Sequence, residues 1–250
     1  MEESDEKKQR KNKNAVSNTF TVPLSLGELN ENISLNTDNY SNIYKERLIN
    51  KAYIFHQEGQ LSKAVKYYQY IISQEINDHR VFSNYGGILK DLGNLEEAES
   101  ATRRAIELKP NYAVAYSNLG MILKDLGNLE EAETATRKAI EVKPDFADAH
   151  SNLGTILIDL GNLEEAEVAT RRAIELKPDF VNANFNLGMI LKDLGNLEEA
   201  ELVTRRAIEL KPDFTDALLN LGNILKNLGN LKDAEFFTRK VIEINPNYPE

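Results

Sequence analysis

Side-chain amides recur in this sequence at a fixed spacing. Asparagine returns every 34 residues, at Asn50, Asn84, Asn118, Asn152, Asn186 and Asn220. An amide both donates and accepts hydrogen bonds. Asparagine is a poor residue for a helix interior, so its repetition needs an explanation if these positions lie in helices. Two interpretations stay open. The asparagines could form a ladder of amides that binds the backbone of an extended peptide, or they could have no role in binding, either because duplication copied them or because they bond neighbouring units to each other.

A second polar series recurs with the same spacing. It consists of Asp91, Asp125, Asp159, Asp193 and, in the last copy, Asn227. If these aspartates lined a binding groove, they would favour a basic ligand. The alternative is a solvated last turn of a helix, where lysines such as Lys90 and Lys124 also complement the helix dipole. The repeated Glu-Glu and Arg-Arg pairs, such as Glu96-Glu97 and Arg103-Arg104, predict a solvent-facing surface of weak ion pairs.

No arrangement of catalytic or metal-binding residues stands out. The histidines His56, His79 and His150 lie in three different segments, without a pair at metal-ligand spacing. Asp148 and Ser151 flank His150, but residues one and two apart on a helix point in different directions and cannot form a catalytic relay. Glycine-rich phosphate loops and hydrolase motifs are not found. We therefore predict a protein that is not an enzyme and needs no cofactor or metal.

Composition argues against several classes of partner. The chain has 250 residues, a formal net charge of -10 and no cysteine. A negative chain is repelled by nucleic acid, whose binding needs clustered Lys and Arg. No apolar run approaches the ~20 residues of a membrane helix, and the N-terminus lacks the apolar stretch of a signal peptide. We therefore expect no nucleic-acid or membrane partner, and a cytoplasmic location.

Glycine and proline divide most of the chain into equal segments. The glycines are Gly59, Gly93, Gly127, Gly161, Gly195 and Gly229, and the prolines are Pro110, Pro144, Pro178, Pro212 and Pro246. Within residues 113–146, apolar side chains follow a helical period, stop at Gly127 and resume until Pro144, which cannot continue a helix. Each segment is predicted to be a pair of helices. One such pair cannot cover its own apolar side chains, so neighbouring pairs must stack.

These residues resemble the signature of the tetratricopeptide-repeat (TPR) family. Leu119-Gly120 in the first helix, Ala132 and Ala139 in the second, and Pro144 at the end carry the resemblance. It covers six repeats, at residues 45–78, 79–112, 113–146, 147–180, 181–214 and 215–248. The resemblance, which extends to bacterial TPR proteins, implies an all-α, right-handed solenoid of antiparallel helix pairs. It also implies a scaffold that binds a protein or peptide in a concave groove.

The resemblance indicates which residues would line that groove. Positions 2, 5, 6, 9, 12 and 13 of each repeat would face it, and position 6 is the asparagine. A similar asparagine ladder is found in the repeat region of the O-linked N-acetylglucosamine transferases. A basic clamp for a ligand carboxylate needs Lys or Arg at positions 2 and 5, where only Arg80 could contribute, so this mode is not expected. Specificity is predicted to reside in Arg80, His150, Phe185, Leu219 and Asn223.

Two departures from the family pattern lead to further expectations. The aromatic position of the second helix holds threonine in every repeat except the first, which has Tyr68, and looser packing is expected there. The first repeat is the most divergent, with Lys51-Ala52 in place of Leu-Gly, as is typical of a terminal capping repeat.

Both ends of the chain lead to predictions of their own. Residues 1–44 are polar, and we expect a disordered tail followed by the repeat domain at 45–250. No additional capping helix follows the last repeat, so Leu221, Ile224 and Leu225 are expected near an exposed stacking face that could mediate self-association. An alternative function is the N-terminal, substrate-presenting region of a larger transferase or hydroxylase.

Overall fold

The computed structural model describes residues 37–245, and this part of the chain consists of helices joined by short turns, without a strand. The helices are α1 (Thr37–Gln57), α2 (Leu61–Ser73), α3 (His79–Asp91), α4 (Leu95–Leu108), α5 (Ala113–Asp125), α6 (Leu129–Val142), α7 (Ala147–Asp159), α8 (Leu163–Leu176), α9 (Val181–Asp193), α10 (Leu197–Leu210), α11 (Thr215–Asn227) and α12 (Leu231–Ile244). Consecutive helices pack in pairs, of which we call the odd-numbered member the A helix and the even-numbered member the B helix. The predicted all-α solenoid of antiparallel helix pairs is confirmed.

The helix boundaries follow the predicted repeats from the second one onward. The A helices α3 to α11 begin at the first residue of each predicted repeat. α1 differs, because it begins at Thr37, inside the segment expected to be a tail, and no glycine or proline interrupts the sequence between that residue and Gly59. Residues 1–36 and 246–250 lie outside the described residues, so the rest of the predicted tail and the last proline remain predictions.

The chain divides into two compact units. The first ends at Ile76 and contains α1 and α2, and the second begins at Asn77 and contains α3 to α12. In the first unit, Ala52 and Tyr68 occupy the positions that glycine and threonine hold in the later repeats, and both are fully buried.

Each A helix of the second unit ends in the same glycine turn. After α5, Gly127 has a φ of 83°, a conformation that residues with a side chain rarely adopt. Its amide donates to the carbonyl oxygen of Lys124 at 2.9 Å, and the amide of Asn128 donates to that of Leu123 at 2.8 Å. These two bonds satisfy the last carbonyls of the helix and reverse the chain. The B helix that follows therefore packs antiparallel to the A helix.

The two helices of a pair approach most closely where a glycine meets a threonine. A Cβ atom built on Gly120 would lie 2.0 Å from the Oγ1 of Thr136, and the same relation holds for Gly86, Gly154 and Gly188. Thr136 is fully buried, and its hydroxyl donates to the carbonyl oxygen of Ala132 at 2.8 Å. The expectation of loose packing is therefore wrong for the four fully buried threonines, Thr102, Thr136, Thr170 and Thr204, because the missing side chain on glycine leaves room for them. Thr238 of the last repeat is not buried.

Stacking of the pairs in the second unit creates an inner and an outer side. Ile156 of α7 enters the core formed by Leu119 and Leu123 of the preceding pair. Successive A helices from α3 to α11 have Cα atoms within 8 Å of each other, whereas successive B helices among the described residues do not. The A helices therefore form the concave inner wall of this unit, and the B helices form its outer surface.

Ion pairs join successive B helices on the outer surface. They link Arg103 to Glu131, Arg137 to Glu165 and Arg171 to Glu199. The hydrogen bond from Arg171 lowers the pKa of Glu199. Both side chains of that pair are well exposed, at 39% and 43%, so solvent screens the attraction and each pair contributes little to stability. The predicted solvent-facing ion-pair surface is present, and its pairs connect neighbouring repeats.

The last helix pair differs from its expectation. Leu221, Ile224 and Leu225 are at most 1% exposed. Leu221 and Leu225 pack against Ala234 of α12, the B helix of the same pair, and Ile224 enters the core of the preceding pair. These three residues are therefore not exposed, and self-association through the C-terminal face stays a prediction.

Replacement of Gly120 by alanine should destabilise the protein, because the new methyl group would meet the Oγ1 of Thr136 at 2.0 Å and the carbonyl oxygen of Ala132 at 3.1 Å. Overpacking of this kind costs about 1–3 kcal/mol, which urea denaturation followed by circular dichroism would measure. The Gly120→Ala/Thr136→Ala variant should recover part of the loss.

Gly87 supplies the matched control. It lies inside α3, and the nearest atom to an added Cβ is the Asn118 Nδ2 at 4.0 Å. Gly87→Ala should therefore stabilise the protein by about 0.5–1 kcal/mol, since alanine is the better helix former. Equal losses for Gly87→Ala and Gly120→Ala would contradict the proposed close approach.

Candidate functional site

The inner wall of the second unit is the candidate site. Residues three and four apart lie on the same face of a helix, so positions 5, 6 and 9 of each A helix form a continuous patch. In α5, Leu119 and Leu123 are buried in the core, and Asn118 and Met121 remain half-buried. The stacked A helices repeat this patch along the wall.

Three amides of the predicted ladder bond one repeat to the one before it. Each Nδ2 donates to a hydroxyl on the preceding A helix. These bonds run from Asn118 to Ser83 (3.2 Å), from Asn152 to Ser117 (2.9 Å) and from Asn186 to Thr155 (3.0 Å). The bonding of neighbouring units, one of the two interpretations of the asparagines, is therefore observed.

The same three amides keep hydrogen-bonding capacity. Within the described residues, no protein group donates to the Oδ1 atoms of Asn118, Asn152 or Asn186. None of these three oxygens is completely buried, so each keeps contact with solvent. Each amide thus joins two repeats through its nitrogen and leaves its oxygen open.

The remaining asparagines do not share this arrangement. Asn220 is only 6% exposed, and its Nδ2 lies 3.5 Å from the Oγ1 of Thr204. Its preceding repeat has Phe185 where the second to fourth repeats have serine, so no hydroxyl is offered at that position. Asn84 is half-buried in α3, and Asn50 is exposed in the first unit. The structure therefore brings three of the six predicted ladder residues into one repeated geometry.

The aspartates of the second series form ion pairs between repeats. The Nζ of Lys90 lies 3.9 Å from Asp125, and that of Lys124 lies 3.3 Å from Asp159. This series of ion pairs is interrupted twice, because Ile158 replaces a lysine and Asn227 replaces an aspartate. Asp193 consequently receives no lysine from the preceding repeat, and within residues 37–245 its ion pair is with its neighbour Lys192, at 3.2 Å.

The predicted specificity residues on the wall give it two different halves. At position 5, Ser83, Ser117 and Ser151 line the second to fourth repeats, and Phe185 and Leu219 follow in the fifth and sixth. The ring of Phe185 packs against Phe214, with 4.9 Å between centroids. Leu219 is half-buried and Asn223 is exposed. The wall therefore changes from polar to apolar along its length.

Arg80 is held by an acidic neighbour at the start of α3. Its Nε and Nη2 donate to the two carboxylate oxygens of Asp78 at 3.0 and 2.9 Å. The Asp78 carboxylate also accepts from the backbone amide of Arg80 and caps the helix. The charge of this arginine is thus paired with Asp78.

His150 lies away from the ladder. It is two residues from Asn152 on α7, which places the two side chains about 200° apart around the helix axis. Its Nε2 is 2.9 Å from the carbonyl oxygen of Pro144. The imidazole lines a cavity of about 580 Å³ between α6, α7 and α8, with Arg137 and Arg171 at its rim. A role of His150 in groove specificity therefore has no support from its position.

The serine hydroxyls that receive the amides were missed by sequence reasoning. Ser83 and Ser117 are buried, and each precedes its asparagine by 35 residues. The signal was present, since serine at position 5 accompanies asparagine at position 6 in three consecutive repeats. Recognising it required knowing that position 5 of one repeat meets position 6 of the next.

The described residues contain no group of His, Asp and Glu side chains that could hold a metal ion. Asp148 is exposed, Ser151 is buried, and the hydrogen bond of His150 goes to the backbone of Pro144, so these three residues do not form a catalytic relay. Between residues 37 and 245, no helix has the length and apolar character needed to cross a membrane.

Stacked helix pairs with an inner wall of A helices define a helical-repeat protein. Family models of the tetratricopeptide repeat match residues 79–112, 113–146, 147–180, 181–214 and 215–248. The chain therefore belongs to the tetratricopeptide-repeat family, and its fold supports a role as a protein-interaction scaffold. No curated protein matches the chain.

Solved structures with the same fold include three informative ones. YrrB, described as a TPR protein with an unusual peptide-binding site, is 28% identical, with a TM-score of 0.57 and coverage of 72% of this chain and 93% of its own. PilF of Pseudomonas aeruginosa is 13% identical, with a TM-score of 0.73 and coverage of 82% and 94%. The Cut9–Hcn1 hetero-tetramer of the APC/C is 16% identical, with a TM-score of 0.76 and coverage of 81% and 40%.

Replacement of Ser117 by alanine should lower the stability of the stack, because it removes the acceptor of the Asn152 amide. The expected loss is about 0.5–1.5 kcal/mol in the free energy of unfolding, measured by urea denaturation. Ser151 is the matched control: it holds the same repeat position and is buried, but Asn186 donates to Thr155 instead. Ser151→Ala should change stability by less than about 0.5 kcal/mol, and equal effects of the two variants would argue against the inter-repeat bond.

Proposed function

We propose that the inner wall binds an extended peptide segment of a partner protein, and that the amides of Asn118, Asn152 and Asn186 accept hydrogen bonds from its backbone. The observation that carries this proposal is the accessible Oδ1 of each amide, whose nitrogen is already fixed by a bond to the preceding repeat. An acceptor held in this way loses little conformational freedom on binding, which favours affinity.

The spacing of the amides suits an extended chain. Packed A helices lie about 10 Å apart, and a strand rises about 3.3 Å per residue. Successive amides would therefore meet every third residue of the ligand. Because the contacts go to backbone N–H groups, this part of the wall tolerates different ligand sequences.

Side-chain preference would come from the ends of the wall. Phe185, Leu219 and Met189 offer an apolar surface in the fifth and sixth repeats, which favours an apolar ligand residue there. Asp193, with a side chain about half exposed and no lysine from the preceding repeat, favours a basic residue nearby. The similarity to YrrB, described as having a peptide-binding site, supports the same kind of ligand.

Selection of phage-displayed random peptides on the full chain tests the proposal. The Kd of a selected peptide, measured by fluorescence anisotropy, should rise by about 10–100-fold in Asn118→Ala/Asn152→Ala/Asn186→Ala, because three hydrogen bonds are lost. Circular dichroism would verify that the variant keeps its helices.

Ser117→Ala separates binding from stacking. This variant removes the structural partner of Asn152 and keeps the amide itself. Only the fixed orientation of one of the three amides is lost, so the Kd should rise by about threefold, well below the effect of the triple variant. Unchanged affinity in the triple asparagine variant, or failure of the selection to yield any peptide, would refute binding through the ladder.

A further inference from the structure

The outer surface carries a line of exposed apolar side chains. Val168, Leu202 and Phe236 are 68%, 69% and 61% exposed. They occupy the same repeat position on α8, α10 and α12, so they form one line across three successive B helices. We call these three residues the outer row.

Duplication does not account for the outer row. The B helices of the second to fifth repeats are almost identical, yet this exposed position differs in every copy. Along the chain it reads Ser100, Thr134, Val168, Leu202 and Phe236. Single exposed apolar residues are ordinary. An aligned set that grows in apolar size while its flanking residues are copied is a candidate contact surface.

Charges on both sides of the outer row are arranged by sign. Glu198 lies four residues before Leu202 and Arg206 lies four residues after it, and Glu164 and Arg172 flank Val168 in the same way. Residues four apart share a helix face, so each of these side chains is next to the row. Arg172 and Arg206 are about half exposed and pair with Glu175 and Glu209 of their own helices at 2.8 and 3.0 Å, and Glu164 and Glu198 are exposed. Next to the row, each of the two helices thus has a glutamate on its N-terminal side and an arginine on its C-terminal side.

We propose that the outer row is the contact between two copies of this chain, related by a two-fold axis that runs along the row. Such an axis reverses the direction of the helices and keeps the order of the repeats. Leu202 then packs on the partner's Leu202, and Glu198 faces the partner's Arg206. An axis parallel to the helices would place Glu198 against the partner's Glu198, so the sign of the charges selects the first arrangement.

The sixth repeat contributes mainly through its aromatic side chain. In α12, Lys232 takes the place of the glutamate and would face the partner's Lys240. Asp233 lies three residues before Phe236 and Arg239 three residues after it. In the proposed dimer, Asp233 would face the partner's Arg239, which is an attractive pair. Three apolar residues and a few charge pairs form a small contact, so we expect a weak dimer that depends on concentration.

Sedimentation equilibrium of the full chain, from micromolar to near-millimolar concentration, tests this assembly. The apparent mass should rise from the 28.3 kDa of one chain toward twice that value. Val168→Ser/Leu202→Ser/Phe236→Ser, which gives all three helices the residue of the second repeat, should remain a monomer. Thr134→Ser, the same position in a polar repeat, is the matched control and should dimerise like the wild type.

A charge exchange tests the direction of the helices. Glu198→Arg places two arginines against each other at both ends of the symmetric contact, so the dimer should weaken by about tenfold. Glu198→Arg/Arg206→Glu reverses both signs and should return the dissociation constant to within about threefold of the wild type. A chain that stays monomeric at every concentration, a dimer that survives the triple serine change, or a double variant without recovery would each overturn the proposal.

Discussion

No helix pair in the second unit completes its core alone, and the rest of the structure depends on this constraint. An isoleucine of α7, α9 and α11 fills the core of the preceding pair, namely Ile156, Ile190 and Ile224. The pairs must therefore stack in one register, and every repeat position returns at the same height. The inner wall and the outer row both follow, since a side chain repeated in sequence becomes a line of side chains in space.

Polar groups follow the same register. The amide nitrogens of Asn118 and Asn152 bond to serines of the preceding repeat, and their oxygens receive no hydrogen bond from the described residues. The two interpretations of the ladder, structural and functional, are therefore compatible within one side chain. Where Phe185 replaces the serine, Asn220 turns into the protein and becomes buried. The inner wall thus becomes apolar at Phe185, the same position at which the hydrogen bond between asparagine and serine is absent.

Sequence reasoning predicted the elements and missed several contacts between them. The period of 34 residues located the helix pairs, because glycine and proline mark where helices end. It could not locate the start of α1 at Thr37, where no helix-breaking residue stands. His150 was predicted as a specificity residue because its repeat position varies. Its position on the helix directs its side chain away from Asn152. The fit of Thr136 against Gly120 also depends on the distance between two helices, which no local pattern specifies.

Near-identity of the stacking surfaces has a consequence for how the chain folds. The surfaces of α5, α7 and α9 bury almost the same residues, so a pair that stacks on the wrong neighbour, or on another molecule, still finds a matching core. Bonds to Ser83 and Ser117 cannot distinguish such pairings. The Thr155 hydroxyl, which accepts a hydrogen bond from Asn186, and Phe185, which packs against Phe214, occur once each at their repeat positions. The fourth and fifth repeats therefore contain the residues that distinguish the correct stacking order from the alternatives among nearly identical pairs.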